Sequence, residues 1–293
     1  MSLTAGIDVG STYTKVVIAD AEGRVVGRFS LRSGFNFARA AERGLQQALE
    51  AAGRARDEIE YVAATGYGRY MVPFRDLAVT ELTSHARAIH RLFPQVRTVL
   101  DVGGQGVKAI RIDSRGRVRA FRLNDKCAAG SGAFLEKTMH YLGFEVDALA
   151  TLPDAAQDPA PISSVCAVFA ESEVINHLTA GRSPEDVCAG AVLALAARAA
   201  QLVKRVKPEP EFALSGGLTR IGLMRRALEQ ELGQAFHVPP DDLGTYAGAL
   251  GAALLAHERL RKLAGVTAHC VNGWTAPAPE ANETARRVPV GAS

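Results

Sequence analysis

Asp8-Val-Gly-Ser-Thr-Tyr-Thr-Lys15 and Asp101-Val-Gly-Gly-Gln-Gly-Val-Lys108 are two versions of one segment, 93 residues apart. The match continues without a gap: Asp20 with Asp113, Gly23 with Gly116, Arg24 with Arg117, Val25 with Val118. Eight of the eighteen pairs between 8–25 and 101–118 are identical, which reads as an internal duplication. Both copies have the same predicted shape. An apolar strand (Leu3 to Val9; Thr98 to Val102) ends at Asp-x-Gly, and a glycine- or hydroxyl-rich turn comes next. A second strand (Lys15 to Ala19; Lys108 to Ile112) reaches Ala21-Glu22-Gly23 or Ser114-Arg115-Gly116. A third strand (Arg24 to Leu31; Arg117 to Leu123) then returns, making a meander.

Helical patterns come after each meander. Ala38 to Ala52 and Thr80 to Leu92 carry helical spacing after the first. After the second come Gly132 to Leu142, Cys166 to Thr179 and Glu185 to Val206. Ser183-Pro184-Glu185-Asp186 is a helix start: a capping hydroxyl, proline in the first turn, then acids. A short strand, Phe212 to Leu214, runs into Ser215-Gly216-Gly217. Thr219 to Leu232 reads as a helix, Ala235 to Val238 as a strand, and Leu243 to Leu263 as the last long helix. The expected division is 1–88 plus 247–265 as one half, 89–246 as the other, and 266–293 as a loose Ala/Pro/Glu/Thr-rich tail.

Bulk properties narrow the classes. The 293 residues are 47% hydrophobic and 22% charged, and 34 basic against 31 acidic residues leave +3. That balance argues against nucleic acid or an anionic membrane as partner. The N-terminus enters a strand with no basic and apolar leader. The most apolar stretches, Ala189 to Ala197 and Ala247 to Ala256, are shorter than a membrane span. The expected compartment is the cytoplasm, where Cys127, Cys166, Cys188 and Cys270 read as thiols or metal ligands rather than disulfides.

Two Asp-x-Gly hairpins and, later in the chain, Leu214-Ser-Gly-Gly-Leu-Thr219 resemble the fold shared by actin, the heat-shock 70 chaperones and sugar kinases. That is a duplicated α/β, ribonuclease H-like ATPase fold, with two halves around a nucleotide cleft. The chemistry fits: glycine-rich turns let backbone N–H groups approach phosphate, and Ser11, Thr12 and Thr14 add hydroxyls. The resemblance implies that the 6–15 hairpin, with Gly10 and Lys15, grips the β- and γ-phosphates. It puts the 101–106 hairpin, with Gly103 and Gly104, across from the γ-phosphate. Asp8 and Asp101 become Mg²⁺-water ligands, and Gln105 orients the attacking water. Gly216 and Gly217 let adenosine and the α-phosphate lie against backbone. Lys15 and Lys108 each stand just after a phosphate turn and read equally as phosphate contacts or as surface lysines opening a strand.

Cys127, in Cys-Ala-Ala-Gly-Ser-Gly132, and Cys166 each stand where a helix begins. A helix N-terminus favours thiolate and would suit an anionic iron–sulfur cluster. Two cysteines per chain are half of what a cubane cluster takes, so two chains related by a dyad would complete it. With Gly6-Ile-Asp-Val-Gly-Ser-Thr12, Ala64-Thr-Gly-Tyr-Gly-Arg69, Asp101-Val-Gly-Gly-Gln105 and Ser215-Gly-Gly217, the chain resembles the activators of 2-hydroxyacyl-CoA dehydratases and the ATPase subunits of benzoyl-CoA reductase from Gly6 to about Leu255. Its length and tail resemble the smaller of those ATPase subunits. The resemblance implies ATP/ADP, Mg²⁺ and a [4Fe–4S] cluster held by Cys127 and Cys166 across a dimer interface. The dimer is formed with a homologous ATPase subunit, identical or related. The implied further partners are acyl-CoA reductase or dehydratase subunits and a ferredoxin-like donor.

The rival readings are a small-molecule kinase of the same fold, a nucleotide-dependent scaffold or regulator, and a Cys₄ zinc site in place of the cluster. Cys188 reads as a core residue and Cys270 as a free thiol in the tail. Glu81 is either a helix-capping acid or a cleft residue. Arg69 touches nucleotide or partner.

Overall fold

The computed structural model describes residues 2–124, 131–163 and 167–270. The duplication becomes two five-stranded sheets of one topology. The first contains β1 (Leu3–Val9), β2 (Tyr13–Ala19), β3 (Val25–Arg32), β4 (Ile59–Thr65) and β5 (Leu77–Ala78), ordered β3-β2-β1-β4-β5. The second contains β6 (Thr98–Val102), β7 (Val107–Ile112), β8 (Val118–Asn124), β9 (Phe212–Ser215) and β10 (Phe236–His237), ordered β10-β9-β6-β7-β8. In each, the three meander strands are antiparallel and the two later strands run parallel to the first.

The two copies agree down to single hydrogen bonds. Asp8 pairs with Lys15 across β1 and β2, as Asp101 pairs with Lys108 across β6 and β7. At the far turn, Asp20 Oδ1 accepts from the backbone N–H of Glu22 (3.1 Å) and Arg24 (2.9 Å), and Oδ2 from Arg24 Nε (2.7 Å). Asp113 repeats this with Arg115, Arg117 and Arg117 Nε, all at 2.9 Å. Gly23 and Gly116 take left-handed φ of +75° and +70°, which a side chain would resist. The spacing shared by the two copies is therefore the chemistry of the turn: an acceptor, a left-handed residue and a closing arginine. Asp20→Ala and Asp113→Ala are each expected to lower stability by about 1–2 kcal/mol, with Asp20 the costlier because it is buried. Urea titration measures both.

Seven α-helices are seen among the described residues. α1 (Phe37–Ala52) lies on the outer face of the first sheet, burying Leu45 and Leu49 against Ile7, Val16 and Ile18. Its start is capped by Asn36 Oδ1, accepting from Arg39 N at 3.0 Å. α3 (Gly132–Leu142), α4 (Ala167–Thr179), α5 (Pro184–Arg205) and α6 (Gly222–Leu232) pack with the second half. α5 is long and apolar enough to cross a membrane by length and composition. Here Val187, Val192, Leu195 and Val203 instead bury it in the core with Leu100 and Leu214.

α2 (Glu81–Leu92) and α7 (Ala247–Cys270) form the layer between the sheets. α7 lies on the first sheet, with Ala249, Leu250 and Ala253 against Val17 and Ala19. α2 lies on the second, with Ala86 and Ile89 against Val99, Ile110 and Ala213. A boundary at residue 88 thus falls inside a helix whose main sheet contact is with the other half. Other boundaries differ from the sequence pattern too. α7 starts at Ala247, after a turn at Asp242 to Tyr246, and runs past 265 to Cys270. Its extension meets no proline before Pro277. α6 starts at Gly222, after a short 3₁₀ turn over Gly217–Arg220. β4 and β5 carry no sequence expectation: Ile59-Glu-Tyr-Val-Ala-Ala-Thr65 is an alanine-containing parallel strand without clean alternation.

Candidate functional site

The two Asp-x-Gly turns face each other across a cleft of about 740 Å³. Gly10 N donates to Tyr13 O (3.1 Å) in the first, and Gly103 N to Gly106 O (2.9 Å) in the second. The tips touch: Gln105 Nε2 lies 3.5 Å from Thr12 Oγ1, and a Cβ on Gly104 would come within 3.1 Å of that oxygen. Lining the cleft are Asp8, Gly10, Ser11, Thr12, Lys15, Asp101, Gly103, Gly104, Gln105 and Gly216. All ten are site residues expected from the sequence.

Thr14 and Gly217 are not among the lining residues. Strand alternation that turns Tyr13 and Lys15 to the cleft turns Thr14 away. Thr14 is buried, its hydroxyl 2.9 Å from Ser33 Oγ, and Ser33 donates to Gly10 O at 2.6 Å. Thr14 and Ser33 therefore brace the first turn from behind. Gly217 begins the 3₁₀ turn beyond the cleft wall, and a Cβ there would meet nothing within 4 Å. Cys127 and Cys166 lie outside the described residues. Cys188 is buried against Met139 (Sγ to Sδ 3.7 Å), and burial pushes its thiol up to about 12, as a core residue requires.

The floor of the cleft is an ionic array. Lys108 Nζ sits 2.9 Å from Asp101 Oδ2 and 2.8 Å from Glu81 Oε2. On the other oxygen, Asp101 Oδ1 lies 3.5 Å from both Ser215 Oγ and His85 Nδ1, which are 3.1 Å apart. Burial would raise the Asp101 carboxyl, but His85 and Lys108 override it and hold it at about 2. Lys108, against the opposing effect of its own burial, is held above the usual lysine range by Asp101 and Glu81. Lys108 is thus committed to carboxylates rather than open to phosphate. Glu81 is a cleft residue; the cap of α2 is Thr80, whose Oγ1 accepts from Thr83 N at 3.3 Å.

Asp8 stands differently. Burial pushes its carboxyl up, and Lys15 only partly opposes this. Its oxygens rest on glycine backbone: a Cβ on Gly66 would come 2.5 Å from Oδ1, and one on Gly248 2.5 Å from Oδ2 and 3.2 Å from His85 Nε2. Lys15, His85 and Lys108 all favour the charged form of Asp8, but burial outweighs them. His85 carries no sequence expectation. The available signal is its place one helical turn after Glu81, which puts both on the cleft face of α2.

The second turn is tied to the helix α3. Gly132 N donates to Gly103 O (2.9 Å) and Ala133 N to Gly104 O (2.7 Å), so the start of α3 docks on the turn itself. A Cβ on Gly132 would crowd Gly103 O at 3.2 Å.

The cleft and its flanking sheets have close counterparts among known proteins. Residues 5–256 match the model of the BadF/BadG/BcrA/BcrD ATPase family. The chain belongs to that family. It is 40% identical over 259 residues to the activator of lactoyl-CoA dehydratase of Anaerotignum propionicum, covering 88% of this chain and 99% of that one. It is 37% identical over 279 residues to a benzoyl-CoA reductase subunit of Thauera aromatica, covering 90% and 97%. Among solved structures, the activator of the 2-hydroxyisocaproyl-CoA dehydratase from Clostridium difficile, with bound ADPNP, superposes with a TM-score of 0.85 at 36% identity. That match covers 94% of this chain and all of that one. The actin-like ATPase fold and a nucleotide-binding cleft are thereby established for this member of the BadF/BadG/BcrA/BcrD family.

Proposed function

We propose that the chain is an ATP-hydrolysing electron-transfer subunit that drives a low-potential electron from a [4Fe–4S] cluster to a partner acyl-CoA dehydratase or reductase. The observation that carries this is the seam between the second phosphate turn and α3. Any movement of Gly103 and Gly104 with nucleotide state moves the backbone of Gly132 and Ala133. α3 begins five residues after Cys127, and α4 begins one residue after Cys166. Lys137 of α3 pairs with Glu171 of α4 at 2.5 Å, one contact between the two helices that follow the cysteines in sequence. The second turn of the cleft is thus hydrogen-bonded to the start of the helix that follows Cys127 in the sequence.

The described residues fit Mg²⁺ and nucleotide. Gly10, Ser11, Thr12 and Lys15 would hold the β- and γ-phosphates, with Gly103 and Gly104 opposite. Asp8 and Asp101 would hold Mg²⁺ through water, and Gln105 would orient the attacking water. Gly216, with Gly217 beyond it, forms the adenosine side. Thiolates at Cys127 and Cys166, two from each of two chains, are the soft donor set a cubane cluster takes. When bound, it supplies a one-electron carrier.

The partner chain is a homologous ATPase subunit, identical or related, and the donor is ferredoxin-like. The relatives' names supply the acyl-CoA dehydratase and reductase components. Identities of 40% and 37% do not separate the two kinds. The assembly works in the cytoplasm.

Protein purified without oxygen is expected to hold about two iron and two sulfide per chain, half of a four-iron cluster. Dithionite reduction should yield an EPR signal of a reduced cubane. Cys127→Ser or Cys166→Ser should abolish both while ADP binding persists. Iron-free protein with intact ATP turnover would reject electron transfer and leave a kinase or a regulator. Zinc in place of iron would make the cysteines structural.

A further inference from the structure

Arg69 is the one cleft cation, apart from Lys15, that has no carboxylate partner among the described residues. It comes just after β4, whose end lies beside the first phosphate turn because β4 runs parallel to β1, with Thr65 opposite Asp8. The Gly66-Tyr67-Gly68 turn is pressed onto that strand. Gly66 has φ +89°, Gly68 N donates to Val9 O at 2.8 Å, and a Cβ on Gly68 would come 2.6 Å from Val9 Cγ1. This backbone is fixed one residue from Gly10, and it projects Tyr67 and Arg69 into the cleft wall.

The guanidinium is parked rather than used. Nη1 donates to Gly66 O at 3.0 Å, and Cζ lies 4.6 Å over the Tyr70 ring. A carbonyl and a ring face orient an arginine without neutralising it, and most of its five donors remain unspent. Lys108 cannot serve the phosphates while Asp101 and Glu81 hold it. Three carboxylates, Asp8, Glu81 and Asp101, face the same space, and beyond Lys15 and a cation held on those carboxylates, Arg69 is the remaining cationic side chain lining the cleft that is free of a carboxylate among the described residues.

We propose that Arg69 is a catalytic residue supplied in cis, forking onto the γ-phosphate oxygens as hydrolysis proceeds. This rests on the reading of the cleft as the site of ATP hydrolysis. The water oxygen bonds to the γ-phosphorus, the bond to the ADP oxygen breaks, and the water proton leaves with phosphate or solvent. Arg69 donates hydrogen bonds throughout and keeps its own protons. Charge on the three equatorial oxygens is what a planar fork matches and a lysine point charge does not. With ADP bound, Arg69 has no γ-phosphate to engage and returns to Gly66 O and Tyr70.

The test is steady-state ATP hydrolysis and ADP titration calorimetry on the full chain with Mg²⁺, for wild type, Arg69→Ala and Arg69→Lys. Both variants are expected to lose about 10²–10³-fold in kcat. KM for ATP and Kd for ADP should stay within about threefold, and lysine should recover less than about tenfold of the loss. Arg69→Lys keeps the charge and the bond to Gly66 O, so it guards against misfolding of the alanine variant. Turnover in Arg69→Lys within about threefold of wild type, or an equal loss of ADP affinity in both variants, would overturn the assignment. Wild-type protein that neither binds ADP nor hydrolyses ATP would instead overturn the reading beneath it.

Discussion

Replacing the two aspartates that head the duplicated hairpins is expected to move stability in opposite directions while disabling ATP hydrolysis in both cases. Asp101→Asn should lower the unfolding free energy by about 3 kcal/mol, because Lys108 loses its more deeply buried partner and keeps only Glu81. The Asp101 carboxyl is held at about 2 against an ordinary 3.8. Its stabilisation is therefore complete above about pH 4 and fades as pH falls through about 2. In the D101N variant this part of the acid sensitivity disappears.

Asp8→Asn should raise the stability of the nucleotide-free protein at neutral pH. Burial holds the Asp8 carboxyl above its usual range, so the native state favours the proton. Its contribution is present at low pH and is lost as pH rises through the folded pKa, leaving a charge that costs stability at pH 7. An amide of the same shape carries no such charge, and the backbone of Gly66 and Gly248 leaves it room. On the proposed roles of Asp8 and Asp101, both variants should lose about 10²–10³-fold in Mg²⁺-dependent ATP turnover, since each replaces a carboxylate by a neutral amide. Chemical denaturation at several pH values, with turnover on the same samples, reads both effects. A destabilised D8N variant would make Asp8 a structural anion rather than a cation seat, and would remove the main support for Mg²⁺ at the first hairpin.

That contrast also marks how far the sequence can be read. The duplication, the two Asp-x-Gly turns and the strand before Ser215 are legible because residue type there is dictated by local chemistry. At the far turns of the meanders, left-handed φ takes Gly23 and Gly116, and the turn acceptor takes Asp20 and Asp113. What separates Asp8 from Asp101 is not local. Lys108, His85 and Ser215 reach Asp101 from β7, α2 and β9, with Glu81 on Lys108, and the packing of α2 against the second sheet brings them together. The position of Thr14 is legible in principle, since alternation with Lys15 sends it behind the turn. β4 is not: Val62, Ala63 and Ala64 are all buried, so no alternation marks the strand. The place of residue 88 within α2 is hidden for a related reason. Small residues on α2 serve two partners, and the pattern alone does not say which sheet each face meets.

Small residues at that crossing are also where substitution should do the greatest damage. Gly251 of α7 lies so close to α2 that a Cβ would fall 1.8 Å from Ser84 O. On the opposite side of α7, a Cβ on Gly6 of β1 would fall 1.9 Å from Ala249 O and 2.4 Å from Ala253 N. In each case the obstacle is backbone, which has no rotamer to yield. Gly251→Ala is therefore expected to cost about 3 kcal/mol or more, at the upper end of what overpacking does. Whatever folded population remains should bind nucleotide more weakly, because spreading α2 from α7 carries Glu81 and His85 away from the first hairpin. Gly265→Ala on the same helix is the control. It is exposed, a Cβ there would meet nothing within 4 Å, and a helical glycine replaced by alanine gains about 0.5–1 kcal/mol. Thermal and urea unfolding of the two variants should thus diverge by about 4 kcal/mol in sign-opposed directions. Equal effects would mean that α2 and α7 can part without cost, and the cleft would then have no fixed hinge for a change in nucleotide to act upon.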